Sequence, residues 1–166
     1  MTGRMQNGQI PTLRSLVWWG AYAVCAVWAM HLLPGVDFFL PGIICSLQEN
    51  NRPQTLWVIT LSVLMQEGAG LLAFGPVLMW YAMACVLFSL GRWLFEAENV
   101  VFIFLLSLAL GAWQVVIGVV MHHLQDVIIP PSRLVTSAAL NALVVPLVWF
   151  VVHFLREKEL RHVHAS

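Results

Sequence analysis

Apolar runs without a charged side chain make up most of the chain, and almost all charged residues lie in the short segments between them. Four runs are long enough to cross a hydrocarbon core of about 30 Å, since a helix rises about 1.5 Å per residue. They are 15–36, 68–91, 99–125 and 134–155. Two shorter runs, 38–48 and 53–66, are predicted to be short tilted helices, half-helices or a re-entrant hairpin, and we count them as two further crossings.

The composition agrees with this pattern, because 60% of the residues are hydrophobic and only 10% are charged. The sequence therefore predicts an all-α polytopic membrane protein with about six transmembrane helices, two of them short or broken. We expect a single helical domain over 1–166, with a cytoplasmic segment at 1–14, a membrane-embedded part at 15–155 and a cytoplasmic tail at 156–166. This length leaves no room for a separate soluble catalytic domain.

The distribution of basic residues predicts the orientation. If all six runs cross and the N-terminus is cytoplasmic, seven of the eight Lys and Arg residues lie inside and only Arg133 lies outside. The seven are Arg4, Arg14, Arg52, Arg92, Arg156, Lys158 and Arg161. If the two short runs form a hairpin that does not cross, Arg52 changes sides and the bias becomes about six to two. Both termini are predicted to be cytoplasmic in either case.

The chain contains no motif typical of catalysis. G-x-S-x-G, H-E-x-x-H and phosphate-loop patterns are missing from the sequence, and its three cysteines stand alone in separate apolar runs. His122 and Asp126 are four residues apart, with His123 beside them, but no further ligand follows at the spacing of a metal site. We therefore expect neither enzymatic activity nor a metal, cofactor or nucleic-acid site.

Glu67 is the one acidic residue inside an otherwise apolar region, VLMQEGAGLLAFGPVLMW, and glycines at 68, 70 and 75 accompany it. Gly68 and Gly70 weaken the helix after Glu67, and Gly75 with the following proline interrupts it again. Two interpretations are open for Glu67 at this junction. It is either a hydrated side chain in a short outer loop, or a buried group that caps the next helix or contacts a partner.

Asn141 and Pro146 lie in the middle of the last apolar run. Pro146 has no N–H to donate, so it frees the carbonyl near Ala142 and is expected to kink the helix. Asn141 is close enough to satisfy this weakened turn, or it bonds to a neighbouring helix. Packing in the core and direct contact with a partner both remain open for the pair.

Two patterns resemble the MreD family, small polytopic proteins of the bacterial rod-shape system. Members typically carry an acidic residue followed about eight positions later by a glycine at the start of a long helix, as Glu67 and Gly75 do here. They also have a polar residue, an Asn and a Pro in the last helix, matched by Ser137, Asn141 and Pro146. The resemblance covers roughly 57–156.

This resemblance implies a non-enzymatic scaffold of the elongasome in the bacterial inner membrane, which supports cell shape and peptidoglycan synthesis. The implied partners are a single-span MreC-like protein and, through it, RodA, a class B penicillin-binding protein and MreB. Small and aromatic residues at 20–30 and 110–120 would suit packing against a partner helix in the bilayer. The implied structural or partner-binding residues are Glu67, Gly68, Gly70, Gly75, Asn141 and Pro146.

An alternative is the substrate-binding component of an energy-coupling-factor vitamin transporter, since those proteins are also six-helix proteins of this size. Such a protein needs several polar groups converging on a cavity. The sequence has few candidates for these groups, mainly Glu67 and its neighbour Gln66, the polar segment from His122 to Arg133, and Asp37 with its neighbours. We therefore expect a scaffold in preference to a transporter component.

Overall fold

A computed structural model describes residues 13–68, 75–125 and 130–164, with the backbone alone at 121–125, 131 and 160–164. The described parts are helical and contain no strand. The helices are α1 (Leu13–Leu32), α2 (Phe39–Gln48), α3 (Arg52–Glu67), α4 (Pro76–Gly91), α5 (Val100–Gln125) and α6 (Pro131–His164). The sequence prediction of an all-α chain is therefore confirmed over these residues.

Three helical segments among the described residues are long and apolar enough to cross a membrane: Leu13–Leu32, Val100–Val120 and Ser132–Glu159. The helices Phe39–Gln48 and Pro76–Gly91 are apolar but shorter. The chain therefore has the character of a helical membrane protein. The count of six crossings stays a prediction.

The helix within the run 68–91 begins later than the run itself, at the interruption predicted from Gly75 and Pro76. Helix α3 ends at Glu67, and α4 begins only at Pro76, so it has 16 residues. Gly75 precedes α4 with φ +126°, a conformation that side chains other than glycine rarely adopt. Pro76 then suits the first position of a helix, because the N–H it lacks would have had no partner within the helix.

Helices α5 and α6 pack closely through glycines of α5. A Cβ added to Gly111 would lie 3.0 Å from the carbonyl oxygen of Ala138, and one added to Gly118 would lie 2.5 Å from Leu134 Cδ2. The small residues at 110–120 thus serve an internal contact between two helices. The expectation that this segment offers its small residues to a partner helix is wrong at these two glycines.

One face of α6 is buried along most of its length, at positions spaced three or four residues apart as a helical stripe requires. The buried residues are Ala138, Asn141, Val145, Trp149, Val152 and Arg156. The stripe therefore carries one polar residue near each end, Asn141 and Arg156, with apolar residues between them. Pro146 is half-buried beside it, and α6 continues as a helix through this proline.

Helix α1 meets α2 through Tyr22 and Gly42. The Tyr22 hydroxyl donates to the carbonyl of Phe38 at 2.5 Å and accepts from the Gly42 N–H at 3.0 Å. The tyrosine ring lies so close that a Cβ on Gly42 would be 2.3 Å from Tyr22 Cε1. Glycine is therefore required at position 42 by close approach.

Gly42→Ala is expected to destabilise the protein by about 1 to 3 kcal/mol, because the new methyl group forces the Tyr22 ring out of place. Gly20→Ala in α1 is the matched control, since a Cβ on Gly20 meets nothing within 4 Å. The control should be neutral or slightly stabilising, as Ala favours helix. Thermal unfolding of both purified variants measures the difference, and equal melting temperatures would contradict the contact.

Candidate functional site

Asp37, in the loop between α1 and α2, is buried, and its carboxylate is the centre of a polar cluster. Oδ1 accepts hydrogen bonds from the N–H groups of Phe39 (2.9 Å) and Leu40 (3.4 Å), Gln66 Nε2 (3.1 Å) and the Tyr81 hydroxyl (3.2 Å). Oδ2 accepts from Trp80 Nε1 at 2.9 Å. The carboxylate thus connects the start of α2 with the end of α3 and with α4.

The surroundings of Asp37 act on its charge in two opposite ways. Burial raises the pKa of the Asp37 carboxyl above its usual value, because the charged form loses water. The hydrogen bonds from the Phe39 N–H and from the side chains of Trp80, Tyr81 and Gln66 act to lower this pKa. These donors therefore offset part of the cost of placing a carboxylate here.

Asn141 connects the same loop to α5 and α6. Its Oδ1 accepts from the Asp37 N–H at 2.8 Å, and its Nδ2 donates to Gln114 Oε1 at 2.7 Å and to the Gly35 carbonyl at 3.2 Å. Ser137 Oγ donates to the Gly35 carbonyl at 2.6 Å and accepts from Gln114 Nε2 at 3.0 Å. Asn141 therefore bonds to neighbouring elements, which is one of the two roles expected from the sequence.

We call this network the Asp37 cluster. Its members are Gly35, Asp37, Gln66, Trp80, Tyr81, Gln114, Ser137 and Asn141. Gln66 also donates to the Tyr81 hydroxyl. The cluster gathers the α1–α2 loop and four helices at one end of the bundle.

Glu67 lies next to this cluster and is 6% exposed. Its Oε1 accepts from the N–H groups of Gly75 at 2.9 Å and Val77 at 3.0 Å, which are free at the start of α4. A carboxylate here also favourably meets the positive end of the helix dipole. The geometry matches the interpretation of Glu67 as a buried cap and not as a hydrated loop side chain.

The other glycines and the proline of the predicted site have different positions. Gly68 ends α3, with its N–H on the carbonyl of Leu64, and Gly70 lies outside the described residues. Gly75 is in contact with Glu67. Pro146 is five residues beyond Asn141 and has no part in the Asp37 cluster.

A cavity of about 290 Å³ adjoins the Asp37 cluster. Its polar lining comes from Asp37, Gln66, Trp80, Gln114, Ser137 and Asn141, and its apolar lining comes from Met30, Val36, Pro76, Val77 and Ile117. The chain therefore gathers more polar groups around one space than the sequence led us to expect. The volume is at the lower end of those that hold small molecules.

Arg156 forms a second polar cluster at the opposite end of α6. Its side chain is 7% exposed, and its guanidinium donates to Glu49 Oε1 at 2.6 Å and Oε2 at 3.2 Å, as well as to Glu159. It also donates to Ser15 Oγ at 3.3 Å. The guanidinium carbon lies 4.9 Å from the ring centroid of Trp18, within reach of a cation–π interaction.

Glutamines extend this Arg156 cluster to further elements. Gln54 of α3 donates to Glu49 Oε2 at 2.5 Å and accepts from Ser15 at 3.0 Å. Gln48 donates to the carbonyl of Ala97 at 2.5 Å and accepts from Trp149 Nε1 at 3.0 Å. The start of α1, the end of α2, the start of α3, the α4–α5 loop and the end of α6 thus meet here.

The two clusters lie at opposite ends of the bundle. Asn141 and Arg156 are about 22 Å apart along α6, at about 1.5 Å per residue. Helix α2 (Phe39–Gln48) likewise begins close to Asp37 and ends next to Glu49. Successive helices therefore run in alternating directions between the Asp37 cluster and the Arg156 cluster.

Comparisons with known proteins add nothing to this geometry. No family model, curated protein or solved structure matches the chain. The resemblance to the MreD family therefore rests on the residues themselves, and what it implies about function is a proposal.

Sequence reasoning identified Glu67, Gly75 and Asn141, and it missed Asp37, Gln114 and Arg156 as centres of interaction. Two signals were available, since Asp37 follows Pro34 and Gly35 between apolar runs, and Gln114 is polar within an apolar helix. The side chains of His122, His123 and Asp126 lie outside the described residues. Within the part of the chain that the structure describes, no group of three His, Cys, Asp or Glu residues is placed to hold a metal.

Proposed function

We propose that this chain is a non-enzymatic membrane scaffold of the rod-shape system that binds an MreC-like single-span protein. One observation supports the proposal most. The residues that carry the resemblance come from two distant segments, and Asp37 connects them: Gln66, beside Glu67, bonds to its carboxylate, and Asn141 bonds to its N–H. Of the matched positions, Ser137 and Asn141 belong to the Asp37 cluster and Glu67 lies directly beside it, and this shared location favours a real relationship over a chance match.

The arrangement of basic residues supports the proposed orientation. Arg14, near Glu159, and Arg156 both lie at the Arg156 cluster. Arg52 and Arg92 line one cavity beside the ends of α2 and α4. Arg133 lies at the start of α6, at the other end of the bundle. A cytoplasmic Arg156 cluster, six crossings and a bacterial inner membrane then follow from the positive-inside rule and the resemblance.

We place the partner helix on the outer face of α1. This helix buries only a narrow stripe, formed by Ser15, Trp19, Ala23 and Ala26. The opposite face, Val17, Ala21, Val24 and Trp28, is exposed. In the bilayer, such a face of small and aromatic residues offers close packing to another helix.

Ala21→Trp is expected to reduce recovery of an MreC-like partner about tenfold, because the indole holds the two backbones apart. Leu108→Trp is the matched control, since Leu108 is exposed on α5 and also faces outward at mid-helix. The measurement is affinity purification of each tagged variant from native membranes, with quantification of the associated proteins. Equal recovery with both variants, or the absence of rod-shape proteins from the wild-type sample, would contradict the proposal.

A second candidate function is the substrate-binding component of a vitamin transporter, and the cavity of about 290 Å³ favours it. Its polar lining is richer than a scaffold requires. The same purification distinguishes the two functions. A transporter component should recover ATPase subunits and a coupling protein in place of rod-shape proteins.

A further inference from the structure

We propose that the cavity beside the Asp37 cluster binds a small organic ammonium compound. The inference rests on the cavity of the chain itself and holds for a scaffold that responds to a ligand as well as for a transporter component. Binding is measured on the purified protein without partners. A failure of ligand binding would therefore leave the scaffold proposal standing. A failure of the scaffold proposal would likewise leave the ligand site standing.

The charge of the lining selects the class of ligand. Among the described residues that line the cavity, Asp37 is the one ionisable side chain, and none is Lys, Arg or His. A cation that enters therefore meets a buried carboxylate and no competing positive charge. An anion would meet the same carboxylate with no group to balance it, which is costly away from water.

Unused acceptors of hydrogen bonds point to a ligand that donates them. Each carboxylate oxygen has two lone pairs, and while the donors to Asp37 crowd on Oδ1, Oδ2 accepts only from Trp80 among the described residues. The Gln66 side chain donates through Nε2 to Asp37 and Tyr81, and its Oε1 accepts nothing within the same residues. An ammonium group carries three N–H donors and no acceptor, so it complements these two oxygens.

The rest of the cavity fits a hydrocarbon body. Met30 and Val77 line it from α1 and α4, and Ile117 lines it from α5. A site with an apolar wall and a few converging polar groups is the usual form of a small-molecule pocket. The cavity thus favours an amine with a short apolar group over a fully polar cation.

Three probes of the same shape test the class of ligand: phenethylamine, 2-phenylethanol and phenylacetate. They differ in a single end group, which is cationic, neutral or anionic at neutral pH. We expect phenethylamine to raise the melting temperature of the purified full-length protein, and to bind at least about tenfold more tightly than either analogue by calorimetry. Equal binding of all three, or preference for the alcohol or the acid, would overturn the proposal.

Ile117→Phe tests the location without touching the hydrogen bonds of the cluster, because the larger ring fills the cavity from α5. Val116→Phe is the matched control, since Val116 is the adjacent residue and is exposed. Ile117→Phe should weaken phenethylamine binding at least about tenfold, while Val116→Phe should bind as the wild type does. Unchanged binding by Ile117→Phe would assign the amine to another place, such as the detergent, and would overturn the site.

Asp37→Asn tests the role of the charge. This change keeps the shape of the side chain and removes its negative charge, so the preference for phenethylamine over 2-phenylethanol should disappear. Because Asp37 also stabilises the fold, its variant is compared only if it unfolds cooperatively. Ile117→Phe decides the location in either case. A folded Asp37→Asn protein that keeps its preference for the amine would contradict the proposed charge recognition.

Discussion

Replacing Asp37 by Leu is expected to lower the free energy of unfolding by about 3 to 5 kcal/mol, one of the two largest effects we predict. Five N–H or O–H donors lose their acceptor in this variant. Each buried donor left without a partner costs about 1 to 3 kcal/mol, and part of this cost is recovered when side chains turn away. The change should appear as a large drop in the midpoint of denaturant unfolding.

Two further variants make this test specific. Asp37→Asn should have a smaller effect, because the amide oxygen of Asn can still accept hydrogen bonds. Some loss of stability remains, since the amide nitrogen then faces a donor such as Trp80 Nε1. Glu96→Leu removes an acidic side chain that is exposed in the α4–α5 loop, and should change stability by less than about 0.5 kcal/mol. A loss of stability by Glu96→Leu that equals the loss by Asp37→Leu would show that the cluster has no special role.

Arg156→Met is expected to destabilise the protein by about 3 kcal/mol. The substitution keeps much of the apolar length of the side chain but leaves Glu49 without its cation in a partly buried position. Glu159 keeps a contact with Arg14 at 3.4 Å, which moderates the loss. Unfolding of the purified variant by denaturant measures the effect, and Arg92→Met, on an exposed arginine, is the control that should stay near the wild type.

A double-mutant cycle with Glu49→Gln separates the ion pair from the packing of the arginine. If the pair carries most of the effect, the double variant should be more stable than the sum of the two single losses indicates, by about 1 to 3 kcal/mol. Strict additivity would show that the two side chains do not interact, and would contradict the geometry of the Arg156 cluster.

The boundaries of three of the six helices follow closely from the pattern of apolar and polar residues. The runs 38–48, 53–66 and 99–125 correspond to α2, α3 and α5 within one residue at each described end. Hydropathy alone does not show the break before Pro76, because the run 68–91 stays apolar across it, and only the glycines and the proline predicted it. The hydropathy of a segment depends on whether its side chains are apolar. The start of α4 depends instead on the backbone conformation of Gly75, which has a positive φ.

The polar clusters were only partly predictable. Glu67 and Asn141 stood out because each is a polar group inside an apolar run. The connection between Asp37 and Asn141 joins residues 104 positions apart, and no local pattern encodes such a pairing. Arg156 was assigned to the water beyond the membrane from its sequence alone, but it is buried against α1 and the end of α2. Its burial depends on how the helices pack, which a single sequence does not display.

The contact between Arg156 and Ser15 has a consequence for how the chain is made. These residues are 141 positions apart, so α1 leaves the ribosome long before its partner exists. At about 5 to 20 residues per second, the delay is roughly 7 to 30 s. During this time Ser15 and Glu49 lack the guanidinium that later joins them. The Arg156 end of the bundle therefore closes only after nearly the whole chain has been made.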